Sequence, residues 1–97
     1  MVCSKIETAK TVIGSAIEGL EALSISLNEN FTRLIDEILE HKGRVILSGM
    51  GKSGHIAKKI AATLASTGTP SFFIHPSEAS HGDLGMITPD DVVIALS

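Results

Sequence analysis

After Gly43 the hydrophobic period of the chain changes, and that change limits its fold more than any other feature. Upstream, apolar residues recur every three or four positions; from Arg44 onward they come in short unbroken runs. Arg44-Val45-Ile46-Leu47-Ser48 is β-branched and apolar and bounded by glycines, the pattern of a strand buried on both faces. A helical pattern follows, with Ile56, Ala57, Ile60, Ala61, Leu64 and Ala65 on one side, and it stops at Gly68 and Pro70. A second run, Ser71-Phe72-Phe73-Ile74-His75, is closed by Pro76. Residues 77–84 have room for a short helix, Thr88-Pro89-Asp90-Asp91 reads as a turn, and Val92-Val93-Ile94-Ala95-Leu96 reads as a third strand. Strand, helix, strand, short helix, strand is a βαβαβ half of a doubly wound, flavodoxin-like α/β fold, three layers around parallel strands. Functional loops in such a sheet gather at the C-terminal ends of the strands. Here those loops are 49–54, 75–86 and whatever follows Ser97.

Two helices are expected ahead of this unit. Over residues 4–27, Ile6, Ala9, Val12, Ile13, Ala16, Ile17, Leu20 and Leu23 recur at steps of three and four. Asn28 then suits an N-cap for a second helix with Phe31, Leu34, Ile35, Ile38 and Leu39 on its apolar side, ending at His41-Lys42-Gly43. Residues 1–43 are expected to form an antiparallel helical pair and 44–97 the βαβαβ half, with the helices serving packing only. At 97 residues the whole is one domain at most, or part of one.

Composition removes several function classes. Eleven acidic against eight basic residues, a net charge of −3, argue against a duplex nucleic acid partner, which calls for a basic stripe. With no Trp or Tyr, a stacking platform for single strands is not expected either. The longest stretch without Asp, Glu, Lys or Arg, 60–77, is broken by Gly68, Pro70 and Pro76, so no membrane span is expected. Lys5 and Glu7 interrupt the N-terminus, which does not read as a signal peptide. A single cysteine, Cys3, closes no internal disulfide and fits a cytoplasmic setting. Mean hydropathy of +0.30 points to apolar surface that meets more than this chain.

The turn Gly49-Met50-Gly51-Lys52-Ser53-Gly54 matches G-x-G-x-x-G between a strand and a helix, the dinucleotide fingerprint in its required context. That fingerprint also expects an acid at the end of the second strand, where this chain has Ile74-His75-Pro76. A P-loop needs a glycine at position 46, which is Ile. What remains is an anion site: glycines bring backbone N–H groups close to a ligand, the helix N-terminus adds positive potential, and Lys52 places an ammonium at the same mouth. Ser53 can cap the helix or donate to a ligand oxygen. The other reading is a tight strand-to-helix turn with Lys52 merely solvated.

The second loop, His75-Pro76-Ser77-Glu78-Ala79-Ser80-His81-Gly82-Asp83, holds two histidines and two carboxylates, yet its spacing matches no compact metal motif. Glu78 and Asp83 have local helix and turn roles. His81 is the functional candidate, on a polar loop beside the presumed pocket. His75 reads as structural, and His41 and His55 sit at helix ends where capping or the helix dipole accounts for them.

From Ser48 to Ser97, the segments Ser-Gly-Met-Gly-Lys-Ser-Gly-His-Ile-Ala-Lys-Lys and His-Pro-Ser-Glu-Ala-Ser-His-Gly-Asp-Leu-Gly-Met closely resemble the sugar isomerase (SIS) domain of arabinose-5-phosphate isomerases. Such enzymes interconvert ribulose 5-phosphate and arabinose 5-phosphate on the route to the lipopolysaccharide sugar Kdo. The resemblance implies that Lys52 and His81 are catalytic, that Gly49, Gly51 and Ser53 line the site of a pentose 5-phosphate, and that the protein is a homo-oligomer; no cofactor and no metal are expected. It also implies a continuation past Ser97 into a loop carrying a catalytic glutamate and phosphate-binding serines, so these residues would hold about the first half of the domain. A noncatalytic module that binds a sugar phosphate and regulates a partner is the alternative expectation.

Overall fold

The computed structural model describes residues 4–80 and 82–97. They fall into two compact units, one ending at Leu34 and the other Ile35–Ser97. The first holds helix α1 (Ser4–Ser26) and the start of α2 (Glu29–Glu40). Asn28 directly precedes α2: its side-chain oxygen accepts from the Asn30 N–H at 2.9 Å, the N-cap role its residue type favours. Within α1 the Thr8 and Thr11 hydroxyls donate back to the Ser4 and Glu7 carbonyls at 2.8 and 2.9 Å. No residue of α1 is buried, and Ile6, Val12, Ile13, Ile17, Leu20 and Leu23 all remain exposed.

The second unit is a three-stranded parallel sheet in the order β2-β1-β3, with β1 Val45–Gly49, β2 Ser71–Phe73 and β3 Val92–Leu96. Helix α3 (Gly51–Ser66) connects β1 to β2; a short helix α4 (Pro76–Ser80) and a 3-10 turn at Asp83–Met86 lead from β2 to β3. Parallel pairing of all three strands is the α/β arrangement expected from the sequence. The central position of β1 explains its composition, since Val45, Ile46 and Leu47 are completely buried. Val45 and Leu47 meet Ala57 and Ala61 of α3, and Ile38, Ile60, Leu64, Phe73, Ile94 and Leu96 pack around them. The alanines let α3 lie close to the sheet, and burying each large aliphatic side chain contributes roughly 1.5–3 kcal/mol. Residues of β3 alternate between half-buried and exposed, the expected pattern for a strand with one uncovered side.

Element ends differ slightly from the sequence reading. β1 begins at Val45 rather than Arg44, and β2 ends at Phe73, although Ile74 N–H still donates to the Leu47 carbonyl at 2.9 Å. His75 leaves the sheet to start α4 instead: its Nδ1 accepts from the Ser77 N–H at 3.1 Å.

At the opposite end of the sheet an ion pair joins β1 to the turn before β3. Arg44 Nη2 lies 3.1 Å from Asp91 Oδ2 and donates to the Met86 carbonyl at 2.6 Å. Asp91 also accepts from the Arg44 and Thr88 backbone N–H groups at 2.7 and 2.8 Å. The guanidinium rests 4.9 Å from the centroid of Phe72. The Arg44 side chain first, then the Thr88 and Arg44 amides, hold the Asp91 carboxyl far below the usual carboxylate range.

Candidate functional site

The turn from β1 into α3 is built from backbone rather than side chains. Helix α3 begins at Gly51, directly after an N-cap, Met50, in extended conformation with no side-chain cap. Ser53 therefore lies in the first turn of the helix and does not cap it. Gly51 has φ +58°, a left-handed conformation that favours glycine. Gly49 and Gly54 are needed for close approach: a Cβ on Gly54 would lie 2.6 Å from the Gly49 carbonyl oxygen, and one on Gly49 3.0 Å from the Ser53 carbonyl. Gly54 N–H donates to the Met50 carbonyl at 3.2 Å. The N–H groups of the first helical turn have no partner within the helix and stand at the C-terminal end of β1, where the macrodipole is positive.

Two clefts flank this turn, and Gly49 lines both. The first, about 300 Å³, is bounded by Ser48, Gly49, Met50, Pro76, Ala95, Leu96 and Ser97. It lies across the C-terminal ends of β1 and β3. In a sheet with strand order 2-1-3 that is the topological switch point, where ligands of open α/β sheets bind. Its walls are largely apolar, and the Ser48 hydroxyl donates to the Ile74 carbonyl at 2.7 Å, fixing the end of β1 to the end of β2. The second cleft, about 210 Å³, is lined by Gly49, Gly51, Gly54, His55, Lys58, Phe73 and His75.

The expected site residues distribute unevenly over this geometry. Gly49 lines both clefts and Gly51 the second, whereas Lys52 and Ser53 line neither. Lys52 is exposed and Ser53 half-buried in the first turn of α3. Among the described residues the Lys52 ammonium has no carboxylate partner. His81 lies outside the described residues. Among the described residues no group of three or more His, Cys, Asp or Glu is placed to hold a metal. His41 has the helix-end role its position suggests, with Nδ1–H donating to the Ile38 carbonyl. His55, the fifth residue of α3, lines the second cleft, beside Lys58 one turn later. Sequence reasoning passed over Lys58, which reads singly as solvated helix surface, and gave His55 only a helix-end role. The available signal was their spacing of three, which puts both on one side of α3.

Comparison with known proteins agrees with this geometry. The SIS domain model matches residues 38–97. Over 92 residues the chain is 58% identical to the arabinose 5-phosphate isomerase KdsD of Pseudomonas aeruginosa, a match covering 95% of this chain and 28% of that protein. Its fold superposes on an Escherichia coli CFT073 protein solved in complex with arabinose 5-phosphate with a TM-score of 0.86 and 48% identity, covering 95% of this chain and 49% of that one. A candidate phosphosugar isomerase involved in capsule formation from Bacteroides fragilis gives a TM-score of 0.86 at 39% identity, covering 97% of this chain and 50% of that one. The chain spans less than a third of the length of the curated relatives it matches and about half that of the solved chains. The βαβαβ sheet, the glycine turn at its switch point and the match over 38–97 lead to one assignment: this chain belongs to the SIS domain family.

Proposed function

We propose that the chain carries part of the active site of an aldose–ketose isomerase that interconverts ribulose 5-phosphate and arabinose 5-phosphate for the synthesis of the lipopolysaccharide sugar Kdo. One observation carries the reading: the glycine turn that borders the β1/β3 switch point through Gly49 and Met50 belongs to a chain 58% identical to an arabinose 5-phosphate isomerase. The 48% identical structure solved with arabinose 5-phosphate supports a pentose phosphate as the ligand.

Such an isomerisation removes a proton α to a carbonyl and passes through an enediolate, so it needs a base and a group that stabilises developing negative charge. Lys52, at the positive end of α3 and without a carboxylate partner among the described residues, stabilises the enediolate or holds the phosphate. His81 moves protons between substrate oxygens. Gly49, Gly51 and Ser53 line the sugar phosphate, the glycines by leaving backbone N–H groups accessible. The reaction so written uses no cofactor. The exposed apolar side of α1 meets a second copy in a homo-oligomer, and the enzyme works in the cytoplasm; no described helix is long and apolar enough to cross a membrane.

The test is ketose formation from arabinose 5-phosphate by the full-length protein that carries these residues and by its Lys52→Gln variant, with calorimetric titration of the sugar phosphate in parallel. Turnover lost in Lys52→Gln supports the assignment. Binding without turnover assigns the chain to the alternative, a noncatalytic sugar-phosphate-binding module. Neither binding nor turnover refutes both.

A further inference from the structure

The isomerase reading uses Gly49 and Gly51 of the second cleft but none of its charged or aromatic side chains, whose chemistry is specific. Of its seven lining residues three are glycines, one is Phe73, and the other three are His55, Lys58 and His75. No carboxylate lines it, in a chain whose net charge is −3, so the basic cluster is local and does not continue a generally basic surface. The Lys58 ammonium stands 5.1 Å from the centroid of Phe73, a cation–π contact that holds the charge at the cleft. Among the described residues no carboxylate pairs with it.

His75 is set as a donor by its own surroundings. Its Nδ1 accepts from the Ser77 N–H at 3.1 Å and lies 2.8 Å from the Ser77 hydroxyl. A ring nitrogen that accepts from a backbone amide carries no proton, so the ring proton sits on Nε2. The ring meets Phe73 edge to face, centroids 6.4 Å apart, which fixes its orientation. His55 is exposed and stands three residues before Lys58 on α3, on the same side of the helix. Glycines at 49, 51 and 54 keep side chains out of the floor; a Cβ on Gly54 would already come within 3.8 Å of Phe73 Cζ.

We propose that this cleft, formed by His55, Lys58, Phe73 and His75 beside the glycine turn, is a binding site for a small phosphate-class anion, separate from the cleft at the β1/β3 switch point. A compact ammonium acts as a point charge on phosphate, the His75 Nε2–H supplies a directed donor, and the cleft volume of about 210 Å³ suits a small oxyanion. The ligand here is a second anion, so the site stands whether or not the first cleft takes a pentose phosphate.

The experiment is a titration of the ¹⁵N-labelled chain with inorganic phosphate at constant ionic strength, chloride serving as the exchanged anion, read by amide chemical shifts. Saturable shifts are expected at Gly51, Gly54, His55, Lys58, Phe73 and His75. They should persist in Lys52→Gln and require about tenfold more phosphate in Lys58→Gln, the scale of one lost charge-assisted hydrogen bond. If Lys58→Gln loses the native spectrum, His55→Gln, a change at an exposed side chain, replaces it with the same expectation. The proposal is overturned by shifts that fail to saturate, by chloride producing the same shifts, or by a response abolished in Lys52→Gln and unchanged in Lys58→Gln, which would place the anion at the first cleft.

Discussion

Replacing Gly54 by alanine sets two effects of known size against each other. Gly54 lies in the first turns of α3, where alanine is favoured over glycine by about 1 kcal/mol on helix propensity alone. The added Cβ, however, would sit 2.6 Å from the Gly49 carbonyl oxygen and 3.2 Å from its carbonyl carbon. The obstacle is backbone, and it cannot rotate aside as a side chain would. Gly49 is in register with Leu96 of β3, so moving it disturbs the ladder. Moving α3 instead lifts Ala57 and Ala61 off Val45 and Leu47. Overpacking of this kind costs about 1–3 kcal/mol. With the strain at the upper part of that range and the propensity gain subtracted, the expected net loss is roughly 1–2 kcal/mol. Urea unfolding followed by far-ultraviolet circular dichroism measures it. Gly19→Ala in α1 is the matched control, because a Cβ there meets nothing within 4 Å and only the propensity gain operates. A Gly54→Ala variant as stable as the parent chain, alongside a stabilised Gly19→Ala, would show that α3 and β1 do not need their backbone contact and would refute this account of the glycine turn.

Two further perturbations test the rest of the sheet. Leu47→Ala empties a completely buried position between α3 and the sheet and should lower stability by about 2–5 kcal/mol, measured by the same unfolding curves; a loss below about 1 kcal/mol would contradict the assigned core. Asp91 has a folded-state pKa held below its ordinary value by Arg44 and two amides, so its stabilising contribution is present above about pH 4 and is lost as pH falls toward the depressed value. Asp91→Asn should therefore be less stable than the parent chain at about pH 7, with the difference shrinking below about pH 4; a difference that stays constant from about pH 7 to about pH 2 would rule out the ion pair as its source.

Most of the fold is legible in the sequence because its elements are specified locally. Val45, Ile46 and Leu47 form a run with no polar break, and only a central strand covered on both faces tolerates that; the structure buries all three. Asn28 and Gly68 mark helix boundaries through their own local chemistry, Asn28 by its side-chain oxygen and Gly68 by φ +102°. What the sequence does not disclose depends on residues far apart in the chain. The ion pair of Arg44 with Asp91 spans 47 positions, and nothing in either neighbourhood marks the partner. The second cleft is similar: Lys58 and His75 belong to different elements, and only the pairing of Leu47 with Phe73 brings the end of β2 beside α3. Lys52 shows the converse. Its motif stands out in the sequence, yet the ammonium lines neither cleft, because side-chain direction in a first helical turn depends on where the helix begins, and α3 begins at Gly51 rather than after Gly54.

That early start also explains how one turn serves two clefts. Had the helix begun after Gly54, residues 49–54 would form a loop, and its amides would be set by loop conformation. With α3 running from Gly51 directly after the extended Met50, the unpaired N–H groups of the first turn are held in a fixed array, and the contact of Gly54 with Gly49 locks that array against the end of β1. Strand order 2-1-3 then places β3 on one side of this point and β2 on the other. The same positive helix end therefore faces the apolar β1/β3 mouth and the basic β1/β2 mouth, and the strand ends decide what each can hold. Ala95 and Leu96 give the first a wall without charge, so what that wall offers a ligand is apolar contact beside the backbone groups of the turn. Phe73 and His75 give the second a fixed ring and a fixed donor, so charge selection there rests on Lys58.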